Sequence, residues 1–593
     1  MGGGDARRTV TQVRDNRYFR GEITRFNLGS RLSGAVHRRL MTSTPDDPPD
    51  EGAWTAHLDT FVRDRLPPRE TQPTYLFDLP ELRYPSALNA ARVLIDDAGE
   101  RGWGGRTAIH TDAGSWSYAR LLEAANRMAG ALVHDLSLEP GGRVLLRLAN
   151  SPALVAAWLA VLKAGGIVVT TMPMLRAGEL HPIIEKARID IGVADDGMVE
   201  DLHTAADGQR PAPRILPLSE FEGLAARRPP TFATVRTHRD DAALLAFTSG
   251  TTGRPKACVH FHRDVLAMAD TFARHVLRPH EDDIFVATPP MAFTYGLGGG
   301  LVFPLRFGAA TSFPAVAGPD GLMQHIERHK VSVLFAAPTG YRQMLARQPT
   351  RGLGSLRLCV SAGEPLDRAT SDAWHGRTGL RLIDGIGATE MIHIFISAAG
   401  DDIRPGATGK PVPGYEAAIL DQQGRQLPPG EAGRLAVRGP TGCRYLDDER
   451  QAAYVVGGWN ITGDTYRQDA DGYFWFVARA DDMIVSSGYN IAGPEVEAAL
   501  LAHPAVAECA VVAHPDVERG HIAKAYIVLA APPPDDEAGL VRELQHFVKA
   551  AIAPYKYPRA IEFVADLPKT PTGKIQRYRL RGGRLSGTTL TDA

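Results

Sequence analysis

The stretch GRVLLRLANSPALVAAWLAVLKAGGIVVTTMP, residues 142–173, sets a short apolar run, a turn, a helical segment and a second apolar run in series. VSVLFAAPTGYRQMLARQ, residues 331–348, repeats the alternation in a shorter form. Strands alternating with helices in this way predict a layered α/β architecture with largely parallel sheets, because parallel neighbours need crossover connections. No period of 20–50 residues repeats along the chain, so a solenoid is not indicated.

At 593 residues the chain exceeds a single core, and two or more domains are expected. Near residue 480 the pattern changes. GYFWFVARADDMIVSSGYNIAGPEVEAALLAHP reads as short strands, a turn and a helix, and the remaining hundred or so residues read as a small α+β unit. The expected organisation is an extension over 1–50, a large domain over 51–480 and a small domain over 481–593. The first 40 residues carry nine Arg against three acidic residues. A solvated, disordered extension is favoured there over a transit peptide or nucleic-acid arm.

A formal net charge of −2 gives no electrostatic case for a nucleic-acid partner. Cys258, Cys359, Cys443 and Cys509 form no CxxC pair, which argues against a disulfide framework and against a zinc site. A reducing cytoplasm is the simplest home. No apolar run approaches the roughly 20 residues that span a bilayer, and Lys163 with two glycines interrupts the longest, which reads as a buried helix followed by a buried strand.

Only 10 of the 66 basic residues are Lys, so each lysine is informative. LLAFTSGTTGRPKACVH, residues 244–260, is dense in Ser, Thr and Gly and carries Lys256. It follows the strand-like AALLAF and precedes the helical HRDVLAMADTFARHVL, and therefore reads as a strand-to-helix loop. Glycines that turn N–H groups inward, hydroxyl donors and one cation suit a polyphosphate. The spacing is not that of a Walker A loop.

TSGTTGRPK at 248–256 resembles the phosphate loop of the acyl-adenylate-forming superfamily, and four further motifs occur in that superfamily's order. The resemblance covers roughly residues 55–580. It implies ATP contacts from Thr248, Ser249, Gly250, Thr251, Thr252, Gly253 and Lys256. Upstream of the first of the four, SAGEPL resembles the segment lining the adenine, with Gly363, Glu364 and Pro365. DGIGATEM (Asp384, Gly385, Ile386, Gly387 and onward) implies Thr389 at a nucleotide phosphate and Glu390 as a ligand of Mg²⁺, a hard cation that prefers oxygen. ITGDTY implies Asp464 on the ribose hydroxyls. ARADDMIVSSGYNIAGPEVE implies Arg479 on ribose or phosphate, Asp481 as hinge and Gly488 in the pantetheine tunnel, with Ala478 standing where many relatives have Gly. LPKTPTGKIQR implies Lys574 as the lysine that enters the site during adenylation, with Gly573 beside it.

The implied chemistry needs no protein nucleophile. A substrate carboxylate attacks the α-phosphorus of ATP, pyrophosphate leaves, and a thiol such as that of CoA then displaces AMP. Between the halves, the resemblance implies that the small domain rotates about Asp481, withdrawing Lys574 and presenting the Gly488 loop.

PPMAFTYGLGGGLVFPLRFGAA and MIHIF resemble acyl-pocket segments of benzoate-type CoA ligases. LPPRETQPTYLFDLPELRYP and SSGYNIAGPEVEAALLAHPAVAE lean toward the 2-aminobenzoate branch. Phe293, Tyr295 and Ile394, beside Gly296, would clamp a flat ring, while Thr294 and His393 could read a ring substituent by hydrogen bond. The plain alternative makes Thr294 a strand residue and His393 a satisfied core histidine. Three functions stay open: an aryl-acid CoA ligase, a diazotase that activates nitrite for an aromatic amine, and a nucleotide-binding scaffold without turnover. The expected partners are small molecules, with a homodimer possible and no nucleic acid or membrane.

Overall fold

The computed structural model describes residues 54–248, 255–347, 352–479, 482–486, 489–516, 519–552, 554–569 and 575–581. The Arg-rich extension lies outside them, as do Ser249, Gly250, Thr251, Thr252, Gly253, Asp481, Gly488, Gly573 and Lys574.

Two sheets are built from parallel strands with crossover helices. The first contains β3 (Arg143–Arg147), β4 (Ile167–Thr170), β5 (Ile191–Ala194), β6 (Arg214–Pro217), β7 (Ala242–Thr248) and β8 (Lys256–Phe261). Its order is β6-β5-β3-β4-β7-β8, parallel throughout except for β7–β8. The second contains β1 (Thr107–Thr111), β2 (Gly114–Ser117), β9 (Ile284–Ala287), β10 (Ala310–Phe313), β11 (Val333–Ala336), β12 (Leu358–Ala362), β13 (Leu382–Gly387), β14 (Ile394–Ser397) and β15 (Lys410–Pro411). Its order is β15-β14-β13-β12-β11-β9-β10-β1-β2, with parallel pairs from β13 to β1 and antiparallel pairs at both edges.

The sequence dictates this layering. Strands β3, β4, β5 and β11 are buried at every residue, as expected where helices cover both faces of a parallel sheet. Helix Pro152–Lys163 starts with Pro at N1 after Ser151, whose hydroxyl accepts from the Leu154 N–H at 3.2 Å. It is buried nearly all round, which explains its lack of a polar face. Lys163 ends it inside the protein, where its ammonium bonds Asp96 and the Thr234 hydroxyl. A paired, buried lysine at this position accounts for the charge that interrupts the apolar run.

The third sheet is antiparallel: β16 (Glu416–Leu420), β17 (Ala432–Arg438), β18 (Val455–Val456), β19 (Trp459–Gln468) and β20 (Phe474–Arg479), with β20 paired to β19. It departs from the expectation of largely parallel sheets. The small C-terminal domain has a β21 (Met483–Ser486) and β22 (Tyr489–Ala492) hairpin and a sheet of β23 (Val506–Asp516), β24 (Gly520–Leu529) and β25 (Ala560–Phe563). Helices Gly493–Leu501 and Glu537–Ala551 pack on a core of its own, around Ile484, Val496, Val511 and Leu544. The mixed α+β character expected after residue 480 is therefore observed from residue 482 onward. All four cysteines are buried and free. Among the described residues no helix is long and apolar enough to cross a membrane.

Candidate active site

Strands β9, β11, β12 and β13 run parallel and finish together, so the segments after Ala287, Ala336, Ala362 and Gly387 gather at one edge of the second sheet. Crevices at the carboxyl ends of such strands are the usual ligand sites of open α/β sheets. Most of the candidate residues fall on these segments or face them.

Residues 248–256 do not join a strand to a helix, contrary to expectation. Thr248 and Lys256 are opposed partners in the antiparallel β7–β8 ladder, and the helix starts only at His262. KACVHF forms a buried strand between loop and helix. Six residues, only four of them apolar, beside a helical pattern carry no periodicity that separates strand from helix. The consequence is a lysine fixed on a strand rather than on a loop.

Lys256 donates from Nζ to the Tyr445 hydroxyl at 3.2 Å and lies 4.8 Å from the centre of the Tyr445 ring. The same hydroxyl donates to Glu390 Oε1 at 2.5 Å. A cation, a phenol and a carboxylate thus form one chain from β8 to the turn after β13. Tyr445 and Glu390 are buried, and burial with the nearby Glu390 charge pushes the Tyr445 pKa far up, keeping the phenol protonated.

The Thr389–Met391 turn that carries Glu390 is held from behind. His260 Nε2 donates to the Thr389 carbonyl at 2.8 Å, and the Thr441 hydroxyl donates to the Met391 carbonyl at 2.9 Å. Burial drops the His260 pKa to about 4, so this ring is neutral. Ile392 then takes φ +65°, ψ −33°, a strained conformation for a β-branched residue that persists only where its surroundings impose it. The kink starts β14 with His393 and Ile394 beside the end of β13. A Cβ on Gly387 would meet the His393 carbonyl carbon at 2.8 Å, and one on Gly385 would meet Ile394 at the same distance.

Asp464 and Arg479 are opposed on β19 and β20, and Arg479 Nε donates to Asp464 Oδ1 at 2.9 Å. Asp464 is buried while the arginine side chain is 63% exposed, so the pair presents a cation outward from an anchored carboxylate. The Asp464 charge is the largest influence holding the Arg479 pKa up. Tyr454 feels both Glu390 and Asp464, and Tyr466 feels both Asp464 and Asp384, which ties the third sheet to the end of β13.

At the end of β12, Gly363 takes φ +90° and stands exposed with Pro365. Glu364 Oε2 accepts from the Thr339 hydroxyl at 2.8 Å, while Oε1 is buried without a partner. Ser361 Oγ and Asp384 Oδ1, on paired residues of β12 and β13, are likewise buried and unpartnered. Burial pushes the Asp384 pKa up to about 7. Ile386 beside it packs part-buried against the core.

The acyl-pocket candidates at 294–296 occupy a helix, and the strand alternative for Thr294 does not hold. Thr294 is the first residue of this helix, buried, with Phe293 as N-cap and Gly296 two residues on, where a Cβ would lie 2.2 Å from the Pro290 carbonyl oxygen. The helix then widens into a π-helical segment, Gly298–Val302, a distortion frequent at functional sites. Tyr295 donates its hydroxyl to the carbonyls of Ala336 and Val360, at 3.2 and 3.0 Å, which fixes its ring against β11 and β12.

His393 is the outlier. It is 2% exposed, among the rings of Phe303, Phe272, Tyr295 and Phe335 at centroid distances of 4.7, 5.4, 5.8 and 6.4 Å. Neither ring nitrogen makes a hydrogen bond. Burial takes its pKa down to about 3, opposed by the nearby Tyr295 backbone, whose contact with the ring falls outside hydrogen-bond geometry. A Cβ on Gly298 would sit 2.5 Å from Nε2, so the glycine is what lets the ring lie there. His393 is a core histidine, but not a satisfied one.

Tyr445, His260, Thr441 and Asn150 carry no signal in the sequence. Asn150 accepts from the Met291 N–H at 2.8 Å and donates to the Pro289 carbonyl at 3.2 Å, pinning the turn before Phe293. Tyr445 stands 189 positions from Lys256 and 55 from Glu390, and no local pattern links the three.

The chain is similar to known proteins along both domains. Residues 97–444 match the AMP-binding enzyme family, and residues 495–574 match the AMP-binding enzyme C-terminal domain. The chain is 36% identical over 514 residues to a benzoate–CoA ligase of Thauera aromatica, covering 85% of this chain and 97% of that protein. It is 33% identical over 522 residues to a 4-hydroxybenzoate–CoA/benzoate–CoA ligase of Rhodopseudomonas palustris, covering 85% and 96%. The solved structure of the anthranilate CoA ligase AuaEII in complex with anthranoyl-AMP superimposes with a TM-score of 0.80 at 35% identity, over 85% of this chain and 99% of that one. A lysine, a buried glutamate, an Asp–Arg pair and an aromatic cage thus accompany a match along both domains, and the chain belongs to the AMP-binding enzyme family.

Proposed function

We propose that the protein is an ATP-dependent aryl-acid CoA ligase whose acid resembles benzoate or 2-aminobenzoate. The observation that carries the reading is the adjacency of the Lys256–Tyr445–Glu390 chain to the cage around His393, through the Glu390–Ile394 segment. One side suits a polyphosphate, the other a flat ring.

The residues present fit a magnesium nucleotide. Glu390 Oε1 accepts from Tyr445, and the other carboxylate oxygen suits a hard cation. Mg²⁺ there would neutralise phosphate charge during transfer. Lys256 and the hydroxyls and N–H groups of 248–253 would hold the phosphates. Asp464 would accept from the ribose hydroxyls with Arg479 alongside, and Gly363, Glu364 and Pro365 would border the base. The unpartnered Glu364 Oε1, Ser361 Oγ and Asp384 Oδ1 are candidate contacts for polar atoms of the bound nucleotide.

Lys574 would supply a second cation during adenylation. Gly488 would line the path of the CoA thiol, and the small domain would turn about Asp481, with the boundary at 480/481. On the acyl side, Tyr295 and Ile394 with Phe293 would hold the ring, while Thr294 and the neutral His393 would bond an amino or hydroxyl substituent. A diazotase acting on an aromatic amine would use the same pocket, so the acceptor must be determined by product. A scaffold without turnover is disfavoured by the complete set Glu390, Asp464 and Lys574.

The direct test is exchange of labelled pyrophosphate into ATP across a panel of acids. Exchange dependent on an aryl acid and stronger for ring-substituted benzoates than for linear acids supports the proposal. Exchange with aliphatic acids alone would refute it.

A further inference from the structure

Away from the site, helix Pro319–His329 carries His325 and His329 one turn apart, facing Asp112 in the turn between β1 and β2. His329 Nε2 lies 3.1 Å from Asp112 Oδ1, and His325 Nδ1 lies 3.8 Å from the same oxygen. The three ligating atoms all fall within 4.8 Å of one another. His325 is 3% exposed and neither of its nitrogens makes a hydrogen bond. A distance of 3.8 Å is too long for a hydrogen bond, yet a metal about 2.0–2.2 Å from each atom bridges it.

From this geometry we propose that Asp112, His325 and His329 form a binding site for a borderline divalent cation of the Zn²⁺ class. Two imidazoles and one carboxylate suit Zn²⁺, Co²⁺ or Ni²⁺ better than Mg²⁺, which prefers oxygen and keeps its waters. The cysteine pattern did not reveal the site because it uses no sulfur, and because Asp112 lies 217 positions from His329. His110 packs 5.6 Å from the His329 ring and bonds Ser115 through Nδ1, which backs the cluster with another ring. Arg328 pairs with Asp112 Oδ1 at 2.8 Å and competes with the metal for that oxygen. A bound metal would clip the edge hairpin of the second sheet to the helix between β10 and β11, adding stability because the ligands meet only in the folded chain.

The test uses full-length protein without an affinity tag, stripped with EDTA and titrated with ZnCl₂ by calorimetry, alongside thermal melts with and without Zn²⁺. His325 is buried and its removal could unfold the helix, so the variants are His329→Gln and Asp112→Asn. We expect one equivalent bound by the wild type, a melting temperature raised by Zn²⁺, and at least about a tenfold loss of affinity in each variant. Absence of stoichiometric binding in the wild type would overturn the site. So would a loss smaller than about tenfold in either folded variant, which would place the metal elsewhere or leave a simple ion-pair cluster.

Discussion

The proposed phosphate side and the proposed acyl side of the site are built on opposite terms. On the phosphate side Lys256, Tyr445 and Glu390 are joined in one chain, and Asp464 is joined to Arg479. On the acyl side His393 is buried among four rings with both nitrogens unbonded. Groups that must meet a constant, highly charged ligand are held in place beforehand, where they cost no reorganisation during reaction. A buried polar group left open has its partner in whatever enters, and its desolvation then falls on any ligand that cannot bond it. The phosphate side would then set rate and the acyl side would set choice.

The largest expected effect concerns Lys574. Lys574→Ala should cut acid-dependent pyrophosphate release by at least about a hundredfold, comparable to losing one preorganised donor, and spare thioester formation from a supplied aryl-adenylate. Stopped-flow measurement of each half reaction checks it. Equal damage to both would contradict a lysine that acts in adenylation alone.

Within the phosphate side, Tyr445→Phe keeps the ring and removes the hydroxyl between Lys256 and Glu390. A hydrogen bond to a charged group is worth about 1.5–3 kcal/mol, so adenylation should fall about tenfold or more. The loss should be the same for benzoate and for substituted benzoates, as steady-state kinetics on both acids would show. A change in acid preference would place Tyr445 on the acyl side.

His393→Leu should have the converse signature. It should weaken kcat/KM for a ring-substituted acid by about 1–3 kcal/mol and leave benzoate nearly untouched. Parallel losses for both acids would make His393 a packing residue.

The smallest effect concerns Asp384. Its pKa is about 7 in the folded protein against an ordinary 3.8, because burial disfavours the ionised form. The folded state therefore holds a proton that the unfolded chain has lost between these values. Stability from this group is full below about pH 4 and declines as pH rises through 7. Asp384→Asn should flatten that part of the pH–stability curve, measured by urea denaturation at pH 5 and pH 8. An unchanged slope would mean that the carboxyl is already ionised at pH 5.

Much of this was legible in the chain. The 142–173 stretch announced a buried helix and strand because both faces of a parallel strand are covered, and such burial writes a continuous apolar run. Spaced glycines, the Thr–Glu pair and ITGDTY pointed to the proposed nucleotide side because each sets particular residue types at fixed local spacing. Strand β8 was hidden because six residues abutting a helix, four of them apolar, carry no distinguishing period. Tyr445 was hidden because its partners come from two different sheets. For His393 the sequence showed a histidine in an apolar stretch, but its lack of hydrogen bonds depends on Gly298 and on four rings from distant segments. The antiparallel third sheet was not legible because its strands come after a run of parallel units and share no repeat with them.

Whether an aryl carboxylate, once adenylated, passes to a thiol is decided by the products of one reaction. Purified protein is given 2-aminobenzoate, ATP and Mg²⁺, with either CoA or nitrite, and the products are read by mass spectrometry. An aryl-CoA thioester and AMP are expected with CoA, and no nitrogen loss or diazo product with nitrite. A diazo product with nitrite together with no thioester from any aryl acid would contradict the ligase, while leaving the membership of the AMP-binding family untouched.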